Sequence, residues 1–168
     1  MRFVGPHGPV LLAVFAASLL AGQAVAGTAT ATFNVTANIN SACTIQASAL
    51  NFGTYAAATL DGESTITVTC TNTTAWEVGL NAGSSFGATI NNRRMTGPGP
   101  SNLNYNLFTD AARTITWGDH PILPGQNTVT GIGTGGAQAL TVFGRIPADQ
   151  RTARPGAFLD TITVTITF

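Results

Sequence analysis

Lysine is absent from this 168-residue chain, and only 8% of its residues are charged, about a third of the usual share in a globular domain. Setting Arg2 aside, six Arg stand against seven Asp and Glu, which leaves no basic footprint for nucleic acid. Histidine is nearly missing as well. Beyond the first 26 residues only His120 remains, between Asp119 and Pro121. With no G-x-S-x-G elbow to present a nucleophile, it reads as a turn residue and not as a general base. Asp61 and Glu63 flank Gly62, which reads as a turn, and too few oxygen ligands lie nearby for a calcium loop or a paired-carboxylate site. Gly131-Ile-Gly-Thr-Gly-Gly136 fits the letter of a dinucleotide fingerprint, but the β-patterned Leu140-Thr-Val-Phe143 follows it. Without a helix N-terminus to meet a phosphate the match is accidental, and the segment reads as a mobile loop. No catalytic residue, metal site or cofactor is expected, and the chain does not read as an enzyme. Asn34-Val-Thr36 and Asn72-Thr-Thr74 fit the glycosylation pattern, as chance allows in so Thr- and Asn-rich a chain.

Long apolar runs are confined to the start. Arg2 is followed by Val10-Leu-Leu-Ala-Val-Phe-Ala-Ala-Ser-Leu-Leu20 and then by Ala24-Val-Ala26, which together read as a secretory leader over residues 1–26 with an A-x-A cleavage site. The run is shorter than the roughly 20 residues of a spanning helix, so no membrane insertion of the mature chain is expected. Residues 27–168 suit one domain with its own core. Export places the two cysteines, Cys43 and Cys70, where disulfides persist, and they are expected to pair. Two thiols with no nearby His make a poor metal site.

What the mature chain has in abundance is alternation. In Thr28-Ala-Thr-Ala-Thr-Phe-Asn-Val-Thr-Ala-Asn-Ile-Asn40, the residues Ala29, Ala31, Phe33, Val35, Ala37 and Ile39 fall on one face and Thr and Asn on the other, as on a β-strand. At the far end, Ile162, Val164, Ile166 and Phe168 alternate with threonines. Residues 64–70, 76–80, 103–108 and 139–145 also read as strands. Asp61-Gly62, Gly97-Pro-Gly-Pro100, Pro124-Gly125 and Pro155-Gly156 punctuate them as turn signals. Several short strands and no 3.6-residue stripe predict an all-β sandwich or barrel. Alternation alone leaves open whether residues 28–40 pair within their own chain or with another.

A set of blocks carries a resemblance. They are an alternating strand leading to Cys43, Leu50-Asn-Phe-Gly-Thr-Tyr55, Val68-Thr-Cys70, Leu103-Asn-Tyr-Asn-Leu-Phe-Thr-Asp110, Trp117-Gly-Asp119, Leu140-Thr-Val-Phe-Gly-Arg-Ile146 and Pro155-Gly-Ala-Phe-Leu-Asp-Thr-Ile-Thr-Val-Thr-Ile-Thr-Phe168. In this order they resemble the spore coat protein U domain family, which includes subunits of archaic, Csu-type chaperone-usher pili. The last block departs slightly, with Phe158 and Phe168 where Tyr is common.

The resemblance implies an immunoglobulin-like β-sandwich, incomplete for want of its final strand and completed by donor strand complementation. A leader over 1–26, a donor extension over 27–40 and a sandwich domain over 41–168 would follow. Ala29, Ala31, Phe33, Val35, Ala37 and Ile39 would be the donor face. Ile162, Val164, Ile166 and Phe168 would border the receiving groove and meet a periplasmic chaperone. An outer-membrane usher would then build an open heterologous polymer of like subunits at the cell surface, supporting adhesion or biofilm formation. A coat or adhesive sandwich binding a ligand through residues 83–99 is the alternative, and a secreted hydrolase the least favoured.

Overall fold

The computed structural model describes residues 25–119 and 127–168. The leader expected over residues 1–26 lies almost entirely outside them, as do His120 and Pro124-Gly125. The described residues form the strands β1 (Cys43–Ala47), β2 (Leu60–Cys70), β3 (Ala75–Leu80), β4 (Arg93–Thr96), β5 (Asn102–Phe108), β6 (Val129–Ile132), β7 (Ala137–Ile146) and β8 (Val164–Thr167), the longer of them where apolar and polar residues alternate. All strand pairs are antiparallel. One sheet has the order β1-β2-β7-β5-β4 and the other β6-β3-β8.

The two sheets form a sandwich because each has one apolar face to bury. From the larger sheet come Ile66, Val68, Leu103, Tyr105, Leu107, Val142 and Ile146, and from the smaller Trp76, Val78 and Leu80. Trp117 lies fully buried between strands β5 and β6 in the chain order, and its indole N–H donates to the Val78 carbonyl at 3.0 Å. That bond satisfies the one polar side-chain atom of Trp117, the largest of the fully buried side chains, whereas the indole N–H of Trp76 has no partner among the described residues.

Glycines expected to mark turns instead lie inside strands. Asp61-Gly62 belongs to β2, where Asp61 faces Arg145 and Gly62 faces Gly144 of β7. A Cβ at Gly144 would stand 2.7 Å from the Phe52 ring and 2.8 Å from Leu50, and one at Gly62 would meet the same two side chains. The bare glycine pair is therefore the seat on which Leu50 and Phe52 pack. Residues 131–136 are likewise not a loose loop. Gly131 sits in β6 opposite Trp76, whose ring occupies the space a side chain there would need. Gly133 exchanges backbone bonds with Thr73 and Thr74, and Gly135 donates to the Cys70 carbonyl.

Cys43 and Cys70 are joined in a disulfide across the β1–β2 pair, where they are direct partners. Because the bridge closes a 27-residue separation, its loss frees unfolded-state entropy of about 3 to 4 kcal/mol. The double variant Cys43→Ser, Cys70→Ser is expected to lower the urea midpoint accordingly. Amide exchange should rise first in β1, an edge strand held by one neighbour.

Candidate functional site

Both sheets end on one side in a strand with a single neighbour, β1 beside β2 and β8 beside β3. The two edges approach one another and bound a groove with a cavity of about 470 Å³, lined by Leu50, Ile66, Leu80, Tyr105, Val142, Ile162 and Val164 among others. A second cavity of about 880 Å³ continues past it between residues 49–57 and 150–159, sharing Leu50, Phe52, Met95, Phe158 and Leu159. Ile45, Leu50, Phe52, Ile162, Val164 and Ile166 pack on the core but remain only partly buried. Apolar side chains in that half-covered state, along a row of unpaired backbone groups, are what an added strand would cover.

The C-terminal alternation points as its sequence predicts, with Ile162, Val164 and Ile166 inward and the threonines outward. Phe168 is 57% exposed beyond the strand. The regular strand is shorter than the expected 161–168, covering only Val164–Thr167. Ahead of it the chain crosses between sheets, tied to β4 by paired bonds of Leu159 with Thr96.

Residues 28–40 carry no regular strand. Ala29, Ala31 and Ala37 are exposed, and Phe33, Val35 and Ile39 stand 87%, 84% and 90% exposed. Bonding to the end of β2 begins at Ala42, whose N–H donates to Thr71 Oγ1 and whose carbonyl accepts from the Thr71 N–H.

Below the groove lies a residue that pattern reading misses. Arg93, at the start of edge strand β4, has no exposed surface. Its Nε donates to the Asn81 carbonyl, one terminal nitrogen to the Ile90 carbonyl and Asn106 Oδ1, and the other to the Leu80 and Trp117 carbonyls, all at 2.7 to 3.1 Å. Burial lowers its pKa to about 10, partly offset by Tyr105, Asp119 and Asp160, so it stays charged at neutral pH. Elsewhere in residues 83–99, Ser85 and Ile90 are buried, whereas Ser84, Gly87, Thr89, Asn91 and Asn92 are exposed and Phe86 stands 99% exposed.

The groove's floor holds one acid. Tyr105 Oη donates to Asp160 Oδ2 at 2.7 Å, and burial together with that bond raises the phenol well above its usual pKa. On the outer face of the larger sheet, Asp61 takes a two-pronged contact from Arg145 at 2.7 and 2.9 Å, with Arg113 near both Asp61 and Glu63. The Arg145 hydrogen bond holds the Asp61 carboxyl below its ordinary pKa. These carboxylates are thus engaged in ion pairs. Among the described residues no group of three His, Cys, Asp or Glu side chains is placed to hold a metal.

A family model described as the spore coat protein U domain matches residues 29–165. Protein U of Myxococcus xanthus is 34% identical over 174 residues, covering 91% of this chain and 93% of the relative. Among solved structures, one chain of the chaperone–tip adhesion subunit pre-assembly complex from archaic chaperone-usher Csu pili of Acinetobacter baumannii matches with a TM-score of 0.56 at 28% identity. The match covers 77% of this chain and spans about 40% of the other. The two antiparallel sheets are in keeping with an immunoglobulin-like sandwich, and the chain belongs to the spore coat protein U domain family.

Proposed function

We propose that this chain is a structural subunit of a surface pilus, exported through a leader over residues 1–26 and assembled by the chaperone-usher route. In this reading residues 27–40 are the donor extension and residues 41–168 the receiving sandwich. The observation that carries it is the pairing of opposites within one chain: an apolar groove bounded by two single-neighboured strand edges, and a segment without regular structure whose alternate apolar side chains are exposed. Strand addition gains affinity from backbone hydrogen bonds and register from pockets for alternate side chains. A periplasmic chaperone would lend the first strand along Ile162, Val164, Ile166 and Phe168, and at the usher the extension of the next subunit would replace it. Adhesion and biofilm support follow from the fibre. Coat assembly is a variant with the same contact.

Burying Phe33, Val35 and Ile39 at roughly 1.5 to 3 kcal/mol each, with smaller terms from the alanines, supplies on the order of 5 to 10 kcal/mol before ordering costs. Each subunit gives one strand and receives one, so the contact is heterologous and the polymer open. The test is to delete residues 28–39 and co-express the truncated chain with its chaperone. Fibres are expected to disappear while the chaperone complex persists. Fibres of unchanged yield would rule out donor exchange.

A further inference from the structure

We infer that Asp160 is a positioning residue for strand capture, holding the approach to β8 in its receiving conformation before an incoming strand arrives. This rests on the strand-exchange reading of the same groove. Between residues 159 and 163 the chain leaves one sheet and joins the edge of the other, with no regular strand to hold it. Its two ends are fixed by backbone-level contacts. Leu159 exchanges bonds of 2.8 and 3.0 Å with Thr96, and the Thr163 N–H donates to Asn81 Oδ1 at 2.9 Å while its carbonyl accepts from the Asn81 N–H at 3.1 Å.

In the middle of the crossing, Ile162 packs on the core and Asp160 makes the side-chain hydrogen bonds. Oδ1 accepts from the Ser84 N–H at 2.8 Å, Ser84 Oγ at 3.0 Å and the Thr161 N–H at 2.8 Å, and Oδ2 accepts from Tyr105 Oη at 2.7 Å. The loop that offers Ser84 is shaped for it. Gly83 has φ +93°, and any Cβ there would run into the carboxylate. Asp160 and Tyr105 both line the 470 Å³ cavity, where an acid is compatible with apolar cargo because its lone pairs are already engaged.

An entering strand needs the β8 edge and its lead-in extended, with donors and acceptors in a row. Edge strand β8 has four residues and one neighbour, so between its two fixed ends the polar ordering of its lead-in comes from this clamp. If the clamp goes, the competent fraction of grooves falls and capture slows in proportion. Escape is different, since an inserted strand flanks β8 on its second side and does the ordering itself.

The exported chain and its Asp160→Ala, Asp160→Asn and Tyr105→Phe variants would be mixed with a fluorescent synthetic peptide of residues 27–40, with capture followed by stopped flow and release by chase. Asp160→Ala is expected to slow capture about tenfold or more with release within twofold of the unaltered chain. Asp160→Asn, which keeps the Oδ1 acceptor, should recover part of the rate. Tyr105→Phe removes one of the four bonds and keeps the ring, so it serves if the alanine variant does not fold; it should slow capture severalfold. Capture within twofold of the unaltered chain in every folded variant overturns the inference. So does release that accelerates as much as capture slows, because that marks a general loss of stability. Failure of the unaltered chain to capture the peptide would instead overturn the strand-exchange reading.

Discussion

Replacing Arg93 by Met is expected to destabilise the sandwich by about 4 kcal/mol or more, although methionine is apolar and similar in length. The usual reason an apolar substitute is tolerated at a buried ion is that its partners are replaced with it. Here the partners are chiefly backbone carbonyls, of Leu80, Asn81, Ile90 and Trp117, and they stay. Each buried acceptor left without a donor costs about 1 to 3 kcal/mol, and three are left at once, those of Leu80, Ile90 and Trp117, beside the part-buried carbonyl of Asn81. Arg93→Lys keeps the charge but offers one ammonium in place of a planar fork, so it should recover only part of the loss. Urea melts of the purified chain would show the midpoint for Arg93→Met lowered by about 2 M at a slope near 2 kcal/mol/M. A melt within 0.5 M of the unaltered chain would mean that water or rearranged backbone satisfies those carbonyls.

Arg93 also shows where sequence reading stops. A charged residue inside a short segment, Arg-Arg-Met-Thr, carries no apolar alternation, and neither β4 nor its role is visible without knowing which carbonyls surround it. Strand β1 is similarly hidden, because Cys-Thr-Ile-Gln-Ala is edge sequence with two inward positions, and β6 contains a glycine that pattern reading counts against a strand. By contrast β2, β3, β5 and β7 are legible because each lays at least two large apolar side chains on the buried face. Gly62 and Gly131 mislead for a common physical reason. Glycine permits a turn, but it also permits another residue's ring to lie flat on the backbone, and only the position of Phe52 and Trp76 decides between the two. For the groove, the sequence exposes the apolar row of Ile162, Val164 and Ile166 but not Asp160, three of whose four bonds reach back to residues 84 and 105.

On the proposed strand exchange, residues 28–40 offer the sharpest contrast, because their two faces can be altered one residue apart. Phe33→Asp is expected to abolish polymerisation, whereas Asn34→Asp leaves it nearly unchanged. In the unassembled chain both positions are exposed, so neither substitution should move folding stability by more than about 0.5 kcal/mol. Any difference therefore arises on assembly. Aspartate at position 33 must enter an apolar groove, losing about 1.5 to 3 kcal/mol of burial and adding the cost of an unpaired charge, several kcal/mol more. A total of about 4 kcal/mol corresponds to roughly a thousandfold weaker contact, and because every junction carries the same lesion, a polymer of many junctions vanishes. Aspartate at position 34 lies on the opposite face, where the side chain remains in water. Unboiled gel ladders or sedimentation of the exported chains would measure both. Equal loss in the two variants would mean that the segment does not act as a strand with one buried side, and equal retention would mean that its apolar row is not what joins one subunit to the next.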